Sequence, residues 1–219
     1  MPIPLTHNTA PPGCGFELVH QDESLLIANK PAGLLAVPGR GADKQDSLSA
    51  RLQQAFPDAL IVHRLDMATS GLMIFARGAA MQRRLAQMFR ERLVAKRYVA
   101  VLAGKLGQAT GEVNLPIAAD WPNRPLRKID ALSGKPALTR FCVLSHDADA
   151  DRTRVELMPV TGRTHQLRVH MAAIGHPILG DALYGEAASA SRLLLHAAGL
   201  GIAHPLSGTP MTFLSAPPF

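Results

Sequence analysis

The stretch HRLDMATSG, residues His63 to Gly71, places a carboxylate, two basic-type side chains and a Thr-Ser-Gly turn in one short segment. Apolar runs flank it on both sides, which predicts a loop between two buried strands. Asp66 could act there as a nucleophile or general base on a rigid support. An Asp before such a turn can equally be structural, because Asp, Ser and Thr bond nearby backbone N–H groups. These residues alone leave both interpretations open.

Two further side chains could work with such a carboxylate. Arg64 precedes Asp66 by two positions, and in an extended segment both side chains point the same way. Arg64 could therefore contact whatever Asp66 attacks, or pair with Asp66 itself. Tyr98 follows Lys96 and Arg97 in a strand-like run. It could pack in a core, or stack on a ligand ring as aromatic residues do among basic groups on nucleic-acid surfaces.

A helix is predicted over residues 161–175, and Arg163 and Arg168 flank its start. Arg168 lies beside the apolar stripe of this helix. A buried charge is costly unless it is paired, so Arg168 needs a carboxylate. Asp66 is one candidate, although nothing local in the sequence connects the two residues.

The chain is basic, with a formal net charge of +6 and a pI of about 9.8. Most of the positive residues are arginines, which suit forked contacts to phosphate and stacking on bases. The same bias could also arise from a coding preference for arginine. Basic residues cluster between Arg83 and Arg97 and between Arg124 and Lys128. Each cluster is either a solvated surface or a phosphate-binding one.

Several other chemistries lack their sequence patterns. His165 and His170 are five residues apart and no HExxH occurs, so the nine histidines do not indicate a metal site. No GxGxxG, GxxxxGK[ST] or GxSxG is present. We therefore predict no metal and no cofactor. Cys14 and Cys142 are the only cysteines, which favours a cytoplasmic protein without a disulfide framework. No apolar run approaches the ~18 residues of a membrane span.

The segment pattern predicts an α+β fold with a mixed, largely antiparallel sheet and a few helices, because strand-like runs follow one another with only two or three helices between them. Strands joined by the turn QDES are expected within 16–33, and further helices within 46–57 and 78–93. Residues 1–15 are expected to form a flexible leader, and residues 16–219 a single domain.

Five motifs resemble those of the RluA-type pseudouridine synthases. HRLDMATSGLMIFA resembles the central motif of that family, NKPAGLLAVPG the N-terminal motif and KRYVAVLAG the tyrosine motif. GRTHQLRVHMAAIGHPILGDALYG resembles the long C-terminal block, and RLLLHA the final motif. Together they cover nearly everything from Leu18 to Phe213 in family order.

The resemblance implies a pseudouridine synthase fold and an isomerase that converts uridine to pseudouridine without a cofactor. Asp66 would attack the target nucleotide, at the ribose or at the base. Tyr98 would stack on the uracil, and Arg168 would pair with Asp66. Arg64 would fill the gap that an extruded base leaves. The remaining residues expected to bind RNA are His63, Arg163, Leu195, Arg97 and Arg124.

The resemblance also bears on the RNA partner. The block DWPNRP and the short chain resemble family members that modify both a ribosomal RNA hairpin and the tRNA anticodon stem-loop. Another rRNA or tRNA uridine is the alternative target. A single catalytic domain without an S4-type RNA-binding domain, acting as a cytoplasmic monomer, is expected. Two other classes stay open: a non-catalytic RNA-binding factor, and a hydrolase that would need a second carboxylate.

Overall fold

The computed structural model describes residues 15–219. Cys14 and the expected leader, apart from Gly15, lie outside the described residues. In chain order the elements are β1 (Glu17–Gln21), β2 (Leu25–Lys30), α1 (Leu48–Ala55), β3 (Ala59–Ile61), β4 (Ser70–Arg77), α2 (Gly78–Arg90), β5 (Ala95–Ala103), β6 (Thr110–Asn114), β7 (Ile117–Ala119), β8 (Arg127–Ile129), β9 (Leu138–Asp147), β10 (Arg152–Pro159), α3 (Gln166–Ala173), β11 (Leu195–Ala203) and β12 (Pro210–Leu214). Single 3₁₀ turns occur at Ala42–Lys44 and Ala187–Ser189.

These elements form two compact units. The first comprises the described part of Met1–Ala95 together with Ala197–Pro217, and the second comprises Lys96–His196 with Pro218–Phe219. Asp66 belongs to the first unit, and Tyr98 and Arg168 belong to the second. The expectation of one catalytic domain over residues 16–219 stays a prediction.

The first unit confirms the local predictions made for its segments. β1 and β2 pair antiparallel, β2 also pairs with β4, and β4 pairs with β3 as well. Helix α1 begins after Ser47, whose hydroxyl accepts a hydrogen bond from the Ala50 N–H, and ends before Pro57. Helix α2 buries Leu85 against the sheet residues Ile74 and Leu72. The apolar spacing of α2 therefore faces the core as expected.

The second unit is built on the antiparallel strands β5, β10, β9 and β6, paired in that order. Tyr98 stands opposite Leu157 in the β5–β10 pair. Strands β7 and β8 form a separate antiparallel hairpin. Ile117 and Ile129 of this hairpin pack with Val169 of α3, so the hairpin and the helix share a small core. Together with the first unit, this confirms the α+β fold with largely antiparallel strands.

Two boundary predictions were wrong. The helix predicted over 161–175 begins only at Gln166, because His165 has a left-handed backbone (φ 58°) that cannot continue it. The apolar runs RLLLHA and LGIAH each predict a short strand, but they belong to one strand, β11, which runs from the second unit into the first. The basic run Arg124–Lys128 contains part of strand β8. Within residues 15–219, no helix is long and apolar enough to cross a membrane.

Candidate active site

Asp66 lies half-buried in the loop that joins β3 to β4. The chain turns directly after it, since the Thr69 N–H donates to the Asp66 carbonyl at 3.1 Å. Thr69 and Ser70 are buried, and β4 then continues as a buried strand through Ala76. The loop is short and leads into a buried strand, so the Asp66 side chain has little freedom to move. A reacting carboxylate requires such restricted motion.

The glycine of the motif is required by its surroundings. Gly71 has φ of +117°, a conformation that side chains with a Cβ rarely adopt. A Cβ at this position would also collide with the backbone of Ala197. The Thr-Ser-Gly sequence therefore allows β4 to start close to β11 backbone directly after the Asp66 turn.

Lys30 is a fully buried cation that ties two loops of the first unit together. Its Nζ donates to the carbonyls of Pro31 at 2.9 Å, Leu34 at 2.7 Å and Met67 at 3.0 Å. The Gly33 N–H also donates to the Met67 carbonyl, at 2.9 Å. An ammonium has three N–H donors, so three carbonyls can satisfy it inside the protein. Lys30 thus fixes the residue that directly follows Asp66.

His63 is held by protein groups at the start of the same loop. Its Nε2 accepts a hydrogen bond from the Ile74 N–H at 2.9 Å, which requires the neutral ring with its proton on Nδ1. The ring also stacks on Phe89 with centroids 4.6 Å apart. These contacts support a role in positioning the loop, and RNA binding by His63 stays a prediction. Arg64 and Met67 are exposed on the same loop.

In the second unit, Arg168 forms a buried forked ion pair with Asp181. Its Nε lies 2.8 Å from one Asp181 oxygen and its Nη2 lies 2.6 Å from the other. Arg168 is 5% exposed and Asp181 is buried almost completely. The need of Arg168 for a carboxylate is thus met by Asp181, which the sequence argument did not consider. Pairing of Arg168 with Asp66 stays a prediction.

Asp181 is held ionised by several donors. Burial raises the pKa of this carboxyl, but the hydrogen bonds from Arg168 and from the Leu183 and Tyr184 N–H groups outweigh burial and leave the pKa below its ordinary value. The carboxylate can therefore keep the guanidinium in one orientation at neutral pH. The Arg168 guanidinium also lies over the Tyr184 ring, 5.2 Å from its centroid.

Tyr184 connects this ion pair to two neighbouring elements. Its hydroxyl accepts from the Arg127 N–H of β8 at 2.8 Å and is 2.6 Å from Nδ1 of His165. Because the hydroxyl oxygen accepts from Arg127, it can donate its own proton to His165. The left-handed His165 and the hairpin strand β8 are therefore both fixed by the residue that packs under Arg168.

The start of α3 is organised by the Gln166 side chain. Its Oε1 accepts from the Thr161 hydroxyl at 2.7 Å and from the Arg163 N–H at 3.0 Å. Its amide nitrogen donates to Leu138 and Thr139 of β9. These bonds fix the turn before the helix, so Arg163 and Arg168 stand on one rigid segment. The Arg163 Nε donates to the Pro136 carbonyl at 3.0 Å.

The other predicted site residues differ in exposure. Tyr98 is half-buried on β5, and the exposed Arg97 beside it pairs with Glu156 at 3.1 Å. Leu195 is 3% exposed, so it can line a pocket but offers no open surface. Arg124 is exposed and stacks over Trp121. Binding of RNA by these residues stays a prediction.

Sequence reasoning missed Lys30, Asp181, Tyr184 and Gln166. Lys30 lies in the motif NKPAGLLAVPG, and Asp181 lies in the motif GRTHQLRVHMAAIGHPILGDALYG. Each is a charged residue beside apolar residues, and this pattern could have indicated a buried charge with protein partners. Tyr184 and Gln166 had no such signal. Across residues 15–219, no group of three or more His, Cys, Asp or Glu side chains is arranged to hold a metal ion.

Comparison with known proteins gives consistent matches. A family model described as RNA pseudouridylate synthase matches residues 24–173. A Yersinia pestis protein named dual-specificity RNA pseudouridine synthase RluA is 51% identical over 199 residues, covering 90% of this chain and 96% of that protein. The Escherichia coli K12 protein of the same name is 50% identical over 199 residues, covering 90% of each.

A solved structure extends the similarity to the fold. The human RNA pseudouridylate synthase domain containing 1 superposes with a TM-score of 0.79 at 31% identity, covering 96% of this chain and 87% of that one. The family match includes Asp66, Tyr98 and Arg168, whereas Asp181 and Leu195 lie beyond its end.

We predict that Lys30→Met lowers the free energy of unfolding by about 3 kcal/mol, because it removes hydrogen bonds from a charged donor and leaves buried carbonyls unsatisfied. Urea denaturation measures this change. The Gly33 amide should also exchange its hydrogen faster, since its acceptor Met67 is no longer held. Lys44→Met, at an exposed lysine of the same unit, is the matched control and should change little. Equal effects of the two substitutions would contradict the role of Lys30.

Asp181→Asn should lower the free energy of unfolding at pH 7 by about 3 kcal/mol, because it leaves the Arg168 charge buried without its carboxylate. The folded-state pKa of Asp181 is below its unfolded value of 3.8. The stability that the ionised Asp181 carboxylate contributes is therefore complete above pH 3.8 and is lost as the pH falls through the folded-state pKa. Urea denaturation measured from pH 7 to pH 3 should show that the free energies of unfolding of wild type and Asp181→Asn come closer together at the acid end.

The exposed ion pair of Asp147 with Arg152 provides the control for that series. Asp147→Asn should leave stability nearly unchanged over the same pH range, since exposed pairs contribute little. If the difference in free energy of unfolding between wild type and Asp181→Asn stays constant down to pH 3, the ionised carboxylate is not the cause of the effect.

Proposed function

This chain belongs to the family of RNA pseudouridylate synthases, isomerases that convert uridine to pseudouridine, and from that premise we propose that Asp66 is its catalytic carboxylate. The observation that carries the proposal is the Asp66 loop. A half-buried carboxylate is held there by the Thr69 turn, by Gly71 and by the Lys30 contact to Met67.

The chemistry needs only a positioned carboxylate and proton transfers. Asp66 forms a covalent bond to the target nucleotide, at the ribose or at the base, and the N1–C1′ bond of the nucleotide breaks. The uracil turns, a C5–C1′ bond forms, and the bond between Asp66 and the nucleotide breaks, which returns the free carboxylate. The hydrogen on C5 leaves as a proton and N1 takes up a proton. No electrons or groups are exchanged with an external reagent.

Tyr98 and Arg168 take the supporting roles that their motifs imply. Tyr98 stacks on the uracil, and its hydroxyl assists removal of the C5 proton. Arg168 orients Asp66, and the forked pairing of Arg168 with Asp181 supports this role because it holds the guanidinium in one orientation. Asp181 is thus a positioning residue that acts through Arg168.

The substrate is a folded RNA whose target base must be extruded. Extrusion costs a few kcal/mol of lost stacking, and an arginine plane can fill the gap. Arg64 is exposed two positions before Asp66 in the chain, which suits this role. Relatives that are 50–51% identical are named dual-specificity enzymes. We extend this to a ribosomal RNA hairpin and a tRNA anticodon stem-loop as the two substrates, in the cytoplasm where both RNAs function.

A hydrolase acting on the glycosidic bond is the second class of activity. It requires a carboxyl group that is protonated near neutral pH to serve as the acid. The lowered pKa of Asp181 and its forked pairing with Arg168 make it unsuited to that task. The isomerase therefore fits these residues better than the hydrolase does.

Tritium release from RNA labelled at uracil C5 tests the function. We expect wild type to release tritium from a stem-loop while the RNA chain stays intact and no free uracil appears. Asp66→Ala should lower the rate by ~10³-fold or more, as removal of a nucleophile does. Asp43→Ala, at an exposed Asp of the same unit, should retain the wild-type rate. Free uracil would indicate a hydrolase, and binding without release would indicate an RNA-binding factor.

Arg64→Ala tests the extrusion role. Modification of a structured stem-loop should fall more than tenfold, because the vacated stack is no longer filled, while affinity for an unstructured single strand of the same sequence stays within about twofold. Rate measurements on the stem-loop and filter binding of the single strand give the two values. An equal loss on both RNAs would argue that Arg64 contacts phosphate instead.

A further inference from the structure

Trp121 is a large apolar side chain that the fold leaves on the surface. It lies in the turn between β7 and β8 and is 67% exposed. The Arg124 guanidinium stacks on its ring, with the central carbon 3.5 Å from the ring centroid. Since one face is covered in this way, the exposed surface of the indole includes its other face. A flat aromatic face backed by a cation is thus presented to solvent.

The turn that carries Trp121 is held by its own hydrogen bonds. The Asp120 N–H donates to the Leu126 carbonyl at 3.1 Å, and the Leu126 N–H donates to Asn123 at 3.0 Å. The Asn123 amide nitrogen donates to the Asp120 carboxylate at 3.0 Å. An aromatic side chain on a fixed turn loses little further freedom when a ligand stacks on it.

The hairpin that presents Trp121 is joined to the residues under Arg168. The Arg127 N–H, at the start of β8, donates to the Tyr184 hydroxyl, and the Tyr184 ring packs beneath the Arg168 guanidinium. The hairpin that carries Trp121 is therefore hydrogen-bonded to Tyr184, the residue that supports Arg168.

The charge around the hairpin favours an anionic partner. Arg124 and Lys128 are exposed. The nearby Asp130 carboxylate accepts bonds from Leu132 and Ser133, whose donors hold its pKa below the ordinary value. Asp120 likewise bonds Asn123. Both acids are thus engaged, Asp120 by Asn123 and Asp130 by its own turn and by Lys128 at 3.7 Å. The exposed Arg124 is the cation that stands over the indole.

We propose that Trp121, backed by Arg124, is a stacking platform for an unpaired base of the RNA substrate. The proposal rests on the proposed function in taking RNA as the partner. An aromatic face accepts any base, and stem-loops that are opened for base extrusion expose unpaired bases. Trp121 then contributes affinity for looped RNA through a base other than the reacting uracil.

Intrinsic fluorescence tests this directly, because Trp121 is the single tryptophan of the chain. Full-length Asp66→Ala protein, which should bind without turnover, is titrated with an RNA stem-loop that has a seven-nucleotide loop. We expect the emission to be quenched on binding. A blunt duplex of the same stem sequence, which offers no unpaired base, should bind more weakly and leave the emission nearly unchanged.

Substitution in the same background gives the energetic test. Trp121→Ala should weaken stem-loop binding by about tenfold, within the range of base–aromatic stacking, and Trp121→Phe should restore most of the affinity. Leu132→Ala is the matched control, since Leu132 is a fully exposed apolar residue in the turn after β8. Its affinity should equal that of the parent protein.

The salt dependence separates stacking from phosphate contact. Trp121→Ala removes no charge, so the slope of log Kd against log salt should stay that of the parent protein. A lower slope would show that the indole acts only by placing Arg124, and would overturn the proposal.

Two outcomes keep this proposal distinct from the proposed function. Quenching of the Trp121 emission with no tritium release by wild type would refute the isomerase and leave the stacking platform supported. Unchanged emission together with unchanged affinity of Trp121→Ala would overturn the platform, whether or not wild type isomerises uridine.

Discussion

The forked pairing of Arg168 with Asp181 is the interaction on which the second unit depends. A guanidinium buried in a helix is tolerated only when its charge is matched, and here both partners are nearly inaccessible to water. Asp181 also collects the N–H groups of Leu183 and Tyr184, which fixes the chain that follows. Tyr184 then holds strand β8 through its hydroxyl. One ion pair thus sets the positions of a helix, a loop and a hairpin.

A second buried cation has the corresponding role in the first unit. The Lys30 ammonium donates to the carbonyls of Pro31, Leu34 and Met67. These three carbonyls belong to two loops, so Lys30 holds the two loops together. Because one of them belongs to Met67, the backbone beside Asp66 is held through Lys30. In each unit, a residue with a proposed role in the reaction is positioned by a buried charged residue that takes no part in the reaction. Lys30 has this role for Asp66, and Asp181 has it for Arg168.

The accuracy of the sequence predictions followed the range of the interactions involved. Strands β1 and β2 and helices α1 and α2 were predicted well, because turn residues, the Ser47 cap and apolar spacing act within a few residues. The start of α3 was placed too early. Its N-terminal turn depends on the left-handed His165 and on contacts of Gln166 with β9, a strand well separated in sequence. The length of β11 and the existence of β8 depended in the same way on neighbouring strands.

The amino-acid sequence is enough to predict that Asp66 stands in a tight loop before a buried strand, that Arg168 needs a carboxylate, and which family the motifs resemble. These follow from residue types and spacing within short windows. The three-dimensional packing of the chain determines that Asp181 pairs with Arg168, that Lys30 reaches Met67, and that Trp121 remains exposed under Arg124. Lys30 and Met67 are 37 residues apart, and Arg168 and Asp181 are 13 apart. At such separations several carboxylates and carbonyls are equally available to a buried cation, and packing alone selects among them.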